Sequence, residues 1–420
     1  MSNEGLSREI RKWDLVALLV NVTIGAGILK LPADVQKAVG NYSLLAFVVC
    51  AIIIALIALC FAEVGSRFSQ TGGPYVYALE TFGPTLGFVI GWLMWLTRLA
   101  GFASLVQVFI AYLAYFWPAA ESGAPRITII TSLVVVLTLI NLIGVKQSAR
   151  ASDVFAVSKL IPLLLFVFVG FFFIDGSRFT FSSTPAFGTF TSAVFVLLYA
   201  FSGFEAVLVN SGEVNKPQRV IPFALIMALS IAVVLYMFIQ VVCISVLPNL
   251  PASQRPLADA SQFFLGTVGP TIISLGAVVS VFGTLIVIML AFTRLPFAMA
   301  MKGQLPHPLT MVHKRFRTPH VSILICAAAA FILALSGTFI YAVKVSVVTR
   351  VIVYASTCIA LPILRRRGRA TFEVPGGIVI SMICVALCIW LLVNSGWREM
   401  RDVLLAIVIG LVIYRLTPKG

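Results

Sequence analysis

The chain reads as an all-α polytopic membrane protein with twelve transmembrane helices, arranged as a five-plus-five inverted repeat with helices 1 and 6 discontinuous. Three observations carry that reading. Of 420 residues, 60% are hydrophobic and only 11% charged, whereas a soluble domain is about a quarter charged. Apolar stretches near twenty residues recur almost from end to end, the length a helix needs to cross ~30 Å of hydrocarbon. Two of these stretches are broken at corresponding places, one by Gly25-Ala26-Gly27 and the other by Ser202-Gly203. An unwound backbone survives at membrane depth only where protein, water or a ligand supplies its hydrogen bonds. A matched pair of breaks marks the substrate site of a secondary transporter.

In order, the spans fall at about 14–38, 43–66, 86–117, 127–145, 153–174, 187–211, 223–247, 263–293, 320–338, 343–363, 376–394 and 400–416. The two breaks are about 178 residues apart, and a shift of that size lays spans one to five over spans six to ten. Five is odd, so the second copy runs inverted. Residues 14–174 form the first repeat, 187–363 the second, and 376–416 an added pair. Twelve spans put both termini on one side. Most of the 30 lysines and arginines, Arg365, Arg366 and Arg367 among them, fall in loops on that side. The positive-inside rule makes it cytoplasmic. The expected location is a bacterial-type inner (plasma) membrane, and the polar N-terminus gives no sign of a cleaved signal peptide.

Several classes are excluded. The net charge of +15 is spread over short loops instead of being gathered on one domain, so no nucleic-acid partner is expected. All seven cysteines fall in apolar spans, where free Cys behaves as a small hydrophobe. Cys384 and Cys388 share a helix face without a nearby His or further Cys in the sequence, so no metal site is expected. There is no phosphate-binding loop for an ATP-driven pump and no grouping of nucleophile and base for an enzyme. No cofactor is expected. The partners are the bilayer and a small molecule; oligomeric state stays open.

The first break has a chemistry of its own. Ending a helix at Thr23 or Ile24 leaves carbonyls facing the gap, and restarting it at Gly27 leaves N–H groups free. The N–H groups around Ala26, Gly27 and Ile28, with the positive end of the helix dipole, form a cradle for a carboxylate. Gly25 and Gly27 let backbone approach a ligand closely. Carbonyls near Val22, Ala200 and Phe201 suit an ammonium group, so an α-amino acid fits both ends. The alternative is that these glycines only let helices pack closely.

Four motifs occur in order. They are Thr23-Ile-Gly-Ala-Gly-Ile-Leu-Lys-Leu-Pro32; Gln70-Thr-Gly-Gly-Pro-Tyr-Val-Tyr77; Phe201-Ser-Gly-Phe-Glu205 with Gly212-Glu-Val-Asn-Lys-Pro-Gln-Arg-Val-Ile-Pro222; and Met299-Ala-Met-Lys-Gly-Gln-Leu-Pro306 with Thr318-Pro319. Together they resemble the amino acid, polyamine and organocation (APC) superfamily of permeases, in its amino acid transporter branch. The resemblance implies an aromatic gate at Phe201 or Tyr199. It also implies that Lys159, within Val157-Ser-Lys-Leu-Ile-Pro162, occupies the place of a sodium ion in sodium-coupled relatives. Transport would then be sodium-independent, by proton symport or exchange.

Buried charges add to this, because an ionisable group deep in a bilayer costs several kcal/mol unless paired or hydrated. Lys159 lies about 13 Å into span five; the alternative is that it snorkels to the interface. Glu205 follows the second break and could take up a proton or pair with a buried base. Arg98, about a dozen residues into span three, is the candidate base. Arginine stays charged, so Arg98 needs Glu205, backbone carbonyls or an anionic ligand, and it argues against cationic substrates. A structural Arg98–Glu205 pair remote from substrate is equally open. Lys30 departs from the usual apolar residue of the family, and Arg350 is expected to snorkel from the outer end of span ten. His307, His313 and His320 read as solvated loop residues; Glu213, Lys216 and Arg219 as braces of the loop between spans six and seven.

The expected function is secondary active transport of a neutral or acidic amino acid by alternating access, with Lys159 and Glu205 as coupling and gating residues. Residues 22, 23, 25–28, 98 and 199–203 would form the site. The rivals are a polyamine or cationic amino acid permease and a non-transporting amino acid sensor on the same fold.

Overall fold

The protein is described here by a computed structural model, which covers residues 11–25, 27–68, 72–144, 149–181, 183–208, 214–215, 217–368, 370 and 372–417, without the side chains of 149–158, 206–207 and 217. The described regular structure is sixteen α-helices with short 3-10 turns between some of them. The first span is two helices, α1 (Lys12–Thr23) and α2 (Gly27–Val39). With 12 and 13 residues, each rises only about 18–20 Å, so crossing ~30 Å of hydrocarbon needs both. There follow α3 (Ser43–Gly65), α4 (Pro74–Phe82), α5 (Pro84–Leu113), α6 (Gly123–Ile143) and α7 (Ala149–Gly170). The sixth span is again divided, into α8 (Phe187–Leu197) and a single turn, α9 (Phe204–Val207).

The remaining helices are α10 (Pro217–Val246), α11 (Pro256–Leu265), α12 (Val268–Met301), α13 (His320–Ser336), α14 (Phe339–Arg367), α15 (Gly377–Val393) and α16 (Trp397–Leu416). Among the described residues, six segments are long and apolar enough to cross a membrane singly, and α15 with α16 passes the same test as a pair bent by 110°. The first residue of α4, α5, α10 and α11 is proline, where the missing N–H is one the helix could not have used.

Polarity is distributed as lipid demands. Large apolar side chains such as Phe168, Phe172, Ile332 and Val393 point outward, while Thr97, Ser104, Gln107, Asn141 and Gln240 are buried. With no water to pair them, these polar groups bond across helices. Thr97 Oγ1 meets Thr349 Oγ1 at 2.7 Å, and Ser346 Oγ donates to Thr97 O at 3.3 Å, joining α5 to α14. Asn141 Nδ2 donates to Thr293 Oγ1 at 3.0 Å, joining α6 to α12. The long α5 packs against α12, α13 and α14, while α1 packs on α10 and α2 on α8. That arrangement brings the two divided spans side by side.

Candidate functional site

The two breaks are in contact. A Cβ placed on Gly27 would stand 2.9 Å from Ala200 Cα and 3.1 Å from Tyr199 Cδ1, and one on Gly203 would stand 3.1 Å from Val22 O. Gly203 also has φ +114, a region closed to side chains in practice. Both glycines are therefore required by the meeting of backbone with backbone.

Two of the carbonyls freed at the end of α1 are met by side chains. Lys159, from α7, donates its ammonium to Asn21 O. Tyr236, from α10, reaches both breaks with one hydroxyl, 2.9 Å from Thr23 O and 3.1 Å from Ala200 O. Among the described residues Val22 O accepts no hydrogen bond and Thr23 Oγ1 is buried without a partner. Gly27 and Ile28 begin α2, where N–H groups lack intrahelical acceptors and the dipole is positive. A carbonyl and a hydroxyl without partners among the described residues thus lie with a helix N-terminus, a set that can hold an ammonium and a carboxylate. Ala26 lies outside the described residues, as do Glu213 and Lys216.

Irregular backbone in the second break runs from Leu198 to Gly203, beginning four residues before the Ser202-Gly203 pair. Ser202 turns back on it, its Oγ donating to Tyr199 O at 2.6 Å. Of the two aromatic residues expected to gate, Phe201 is fully buried against Phe47 and Tyr236. Tyr199 is half-buried, with its hydroxyl 2.5 Å from Ser104 Oγ and its ring edge-on to Phe339. Lys30 lies on the Phe339 side, donating to Gln254 Oε1 with its ammonium 5.7 Å from the ring centre.

The charge pairing differs from the sequence expectation. Glu205 pairs with Arg350, not Arg98, and also accepts from Tyr354 Oη at 3.0 Å and Gly203 N at 3.0 Å. Arg350 does not snorkel: α14 begins at Phe339, which puts this arginine eleven residues, or about 17 Å, along the helix. At that depth its side chain is buried facing α9. Arg98 forms no hydrogen bond or ion pair among the described residues, although it interacts electrostatically with both Glu205 and Arg350. Tyr236 and Arg350 were missed as site residues. A hydroxyl or guanidinium deep in an apolar run was the available signal.

The fold also groups cysteines that are distant in the sequence. The fold brings Cys60 and Cys358 to Cys384, the three Sγ atoms within 4.8 Å of one another. They are the described residues most able to hold a soft metal ion. Such an ion needs thiolates, and the Glu63 carboxylate one turn along α3 is taken up by its own partners. Arg365 holds that carboxylate through two bonds of 2.6 and 2.7 Å.

An all-helical membrane protein whose two divided helices meet backbone to backbone is built as a permease. The chain belongs to the amino acid permease family, which it matches over residues 10–413. It is 28% identical to the methylthioribose transporter of Bacillus subtilis, over 99% of this chain and 95% of that one. The branched-chain amino acid permease BcaP of the same organism is 26% identical over 99% and 94%. Its serine/threonine exchanger SteT is 27% identical over 97% and 96%. The protein is accordingly a membrane transporter of small molecules and not an enzyme.

Proposed function

We propose that the protein carries a neutral or acidic amino acid across the plasma membrane by alternating access, without sodium, by proton symport or exchange. The contact between the breaks carries this reading. It sets the α2 N-terminus, suited to a carboxylate, beside Val22 O, suited to an ammonium. Residues 22, 23, 25–28, 98 and 199–203 would line the site. The ammonium of Lys159, placed on a carbonyl of α1, supports a fixed cation in place of a transported sodium ion. Glu205, bonded to the backbone of the second break, is the group through which substrate and helix movement would be coupled. Residues 14–174 and 187–363 would be the inverted repeats that rock against each other, with both termini cytoplasmic.

Uptake and counterflow of labelled neutral, acidic and cationic amino acids in proteoliposomes test this, with and without sodium and an imposed pH gradient. Sodium-independent flux of neutral or acidic amino acids is expected. Flux confined to cationic ones would point to a cationic amino acid permease, and binding without flux to a sensor.

A further inference from the structure

Glu205 on α9 and Arg350 on α14 meet, and Arg98 on α5 lies within electrostatic reach of both. The carboxylate is fully engaged, by Arg350, by the Tyr354 hydroxyl and by the Gly203 N–H. The cations are not. Arg350 is buried and its Nε–H has no acceptor, and Arg98 has no hydrogen-bond or ion-pair partner among the described residues. Two guanidiniums against one carboxylate leave a surplus positive charge where charge is expensive, and arginine cannot shed it by deprotonation.

Access points the same way. The neighbours of Arg98 on α5, namely Thr97, Leu99 and Ala100, are buried, while Arg98 itself is enclosed by protein yet keeps part of its side chain accessible. Gly25, Tyr199 and Gly203 are also partly accessible, and Tyr199 is bonded to Ser104, further along the helix that carries Arg98.

We propose that the transported amino acid has an acidic side chain and that Arg98, with the free Nε–H of Arg350, binds its second carboxylate. This rests on the amino acid reading given above. The substrate's α-carboxylate and ammonium take the α2 N-terminus and Val22 O; its side-chain carboxylate accepts from the guanidinium fork, the geometry arginine offers best. A neutral side chain of the same length leaves both donors unanswered and the surplus charge in place.

The test is counterflow of labelled glutamate, aspartate, glutamine, asparagine, leucine and serine in proteoliposomes, using the full chain, its Arg98→Gln variant and its Arg98→Lys variant. The unaltered protein should exchange glutamate or aspartate at least tenfold better than the matching amide. Arg98→Gln should lose that preference while still moving glutamine or asparagine, and Arg98→Lys should keep part of it. If neither variant folds, the acid-to-amide ratio of the unaltered protein decides alone. Preference for neutral amino acids, or acid selectivity unchanged in Arg98→Gln, overturns the inference and leaves the transport reading standing. Absence of flux for every amino acid overturns both.

Discussion

Tyr236 joins both breaks with one hydroxyl. Tyr236→Phe would leave Ala200 O without its donor, while Thr23 O keeps the Gly25 N–H at 2.8 Å, and an unsatisfied buried acceptor costs roughly 1–3 kcal/mol. The variant should melt at a lower temperature in detergent; an unchanged melting temperature would refute the bridging role. Gly27 is the sharper test of the contact itself. In Gly27→Ala the added methyl lies 2.9 Å from Ala200 Cα, so backbone must shift, at about 1–3 kcal/mol. The apparent KM for uptake should rise roughly tenfold or more, with expression little changed. These two residues also differ in how legible they were. Gly25, Gly27 and Gly203 stood out in the sequence because they break two apolar runs at corresponding places. A single tyrosine hydroxyl in an apolar run is a weaker mark, because most buried tyrosines simply find some partner.

The pairing of α9 with α14 shows where sequence reading ran short. Placing the start of span ten at 343 made Arg350 look peripheral. In the structure Thr338 caps α14, its side chain accepting from Tyr341 N, and this four-residue change in start takes the arginine from the rim to the interior. The Ser336-Gly337-Thr338 sequence was a readable helix-start signal; the depth of the charge depended on using it. The interaction predicts asymmetric costs. Arg350→Ala strands a buried carboxylate and should destabilise by about 3–5 kcal/mol, whereas Glu205→Gln with Arg350→Met should recover much of the loss, as seen by thermal melting of the two variants. Equal melting of the single and double variants would contradict the pairing. The contact of α7 with α1 gives a second expectation: Lys159→Ala should abolish the response of uptake to an imposed pH gradient, and a gradient response equal to that of the unaltered protein would remove Lys159 from coupling.

At the scale of the whole molecule, the helices follow the expected span order because hydrocarbon thickness and backbone satisfaction leave so few solutions. Both divided spans were visible for the same reason. The bend of 110° between α15 and α16 was not, since Asn394-Ser-Gly396 marks a turn without stating its angle. Three-dimensional convergence was equally hidden: Arg98, Glu205 and Arg350 are separated by long stretches of sequence, and only the packing of α5 and α14 around the second break unites them. The central claim is that the two breaks form one substrate site. It is tested most directly by an experimentally determined structure of the protein in lipid nanodiscs with a transported amino acid bound. The account predicts the amino acid between Val22–Ile28 and Tyr199–Gly203, its carboxylate at the start of α2. A transported amino acid bound elsewhere, with the breaks still closed on each other, would contradict it.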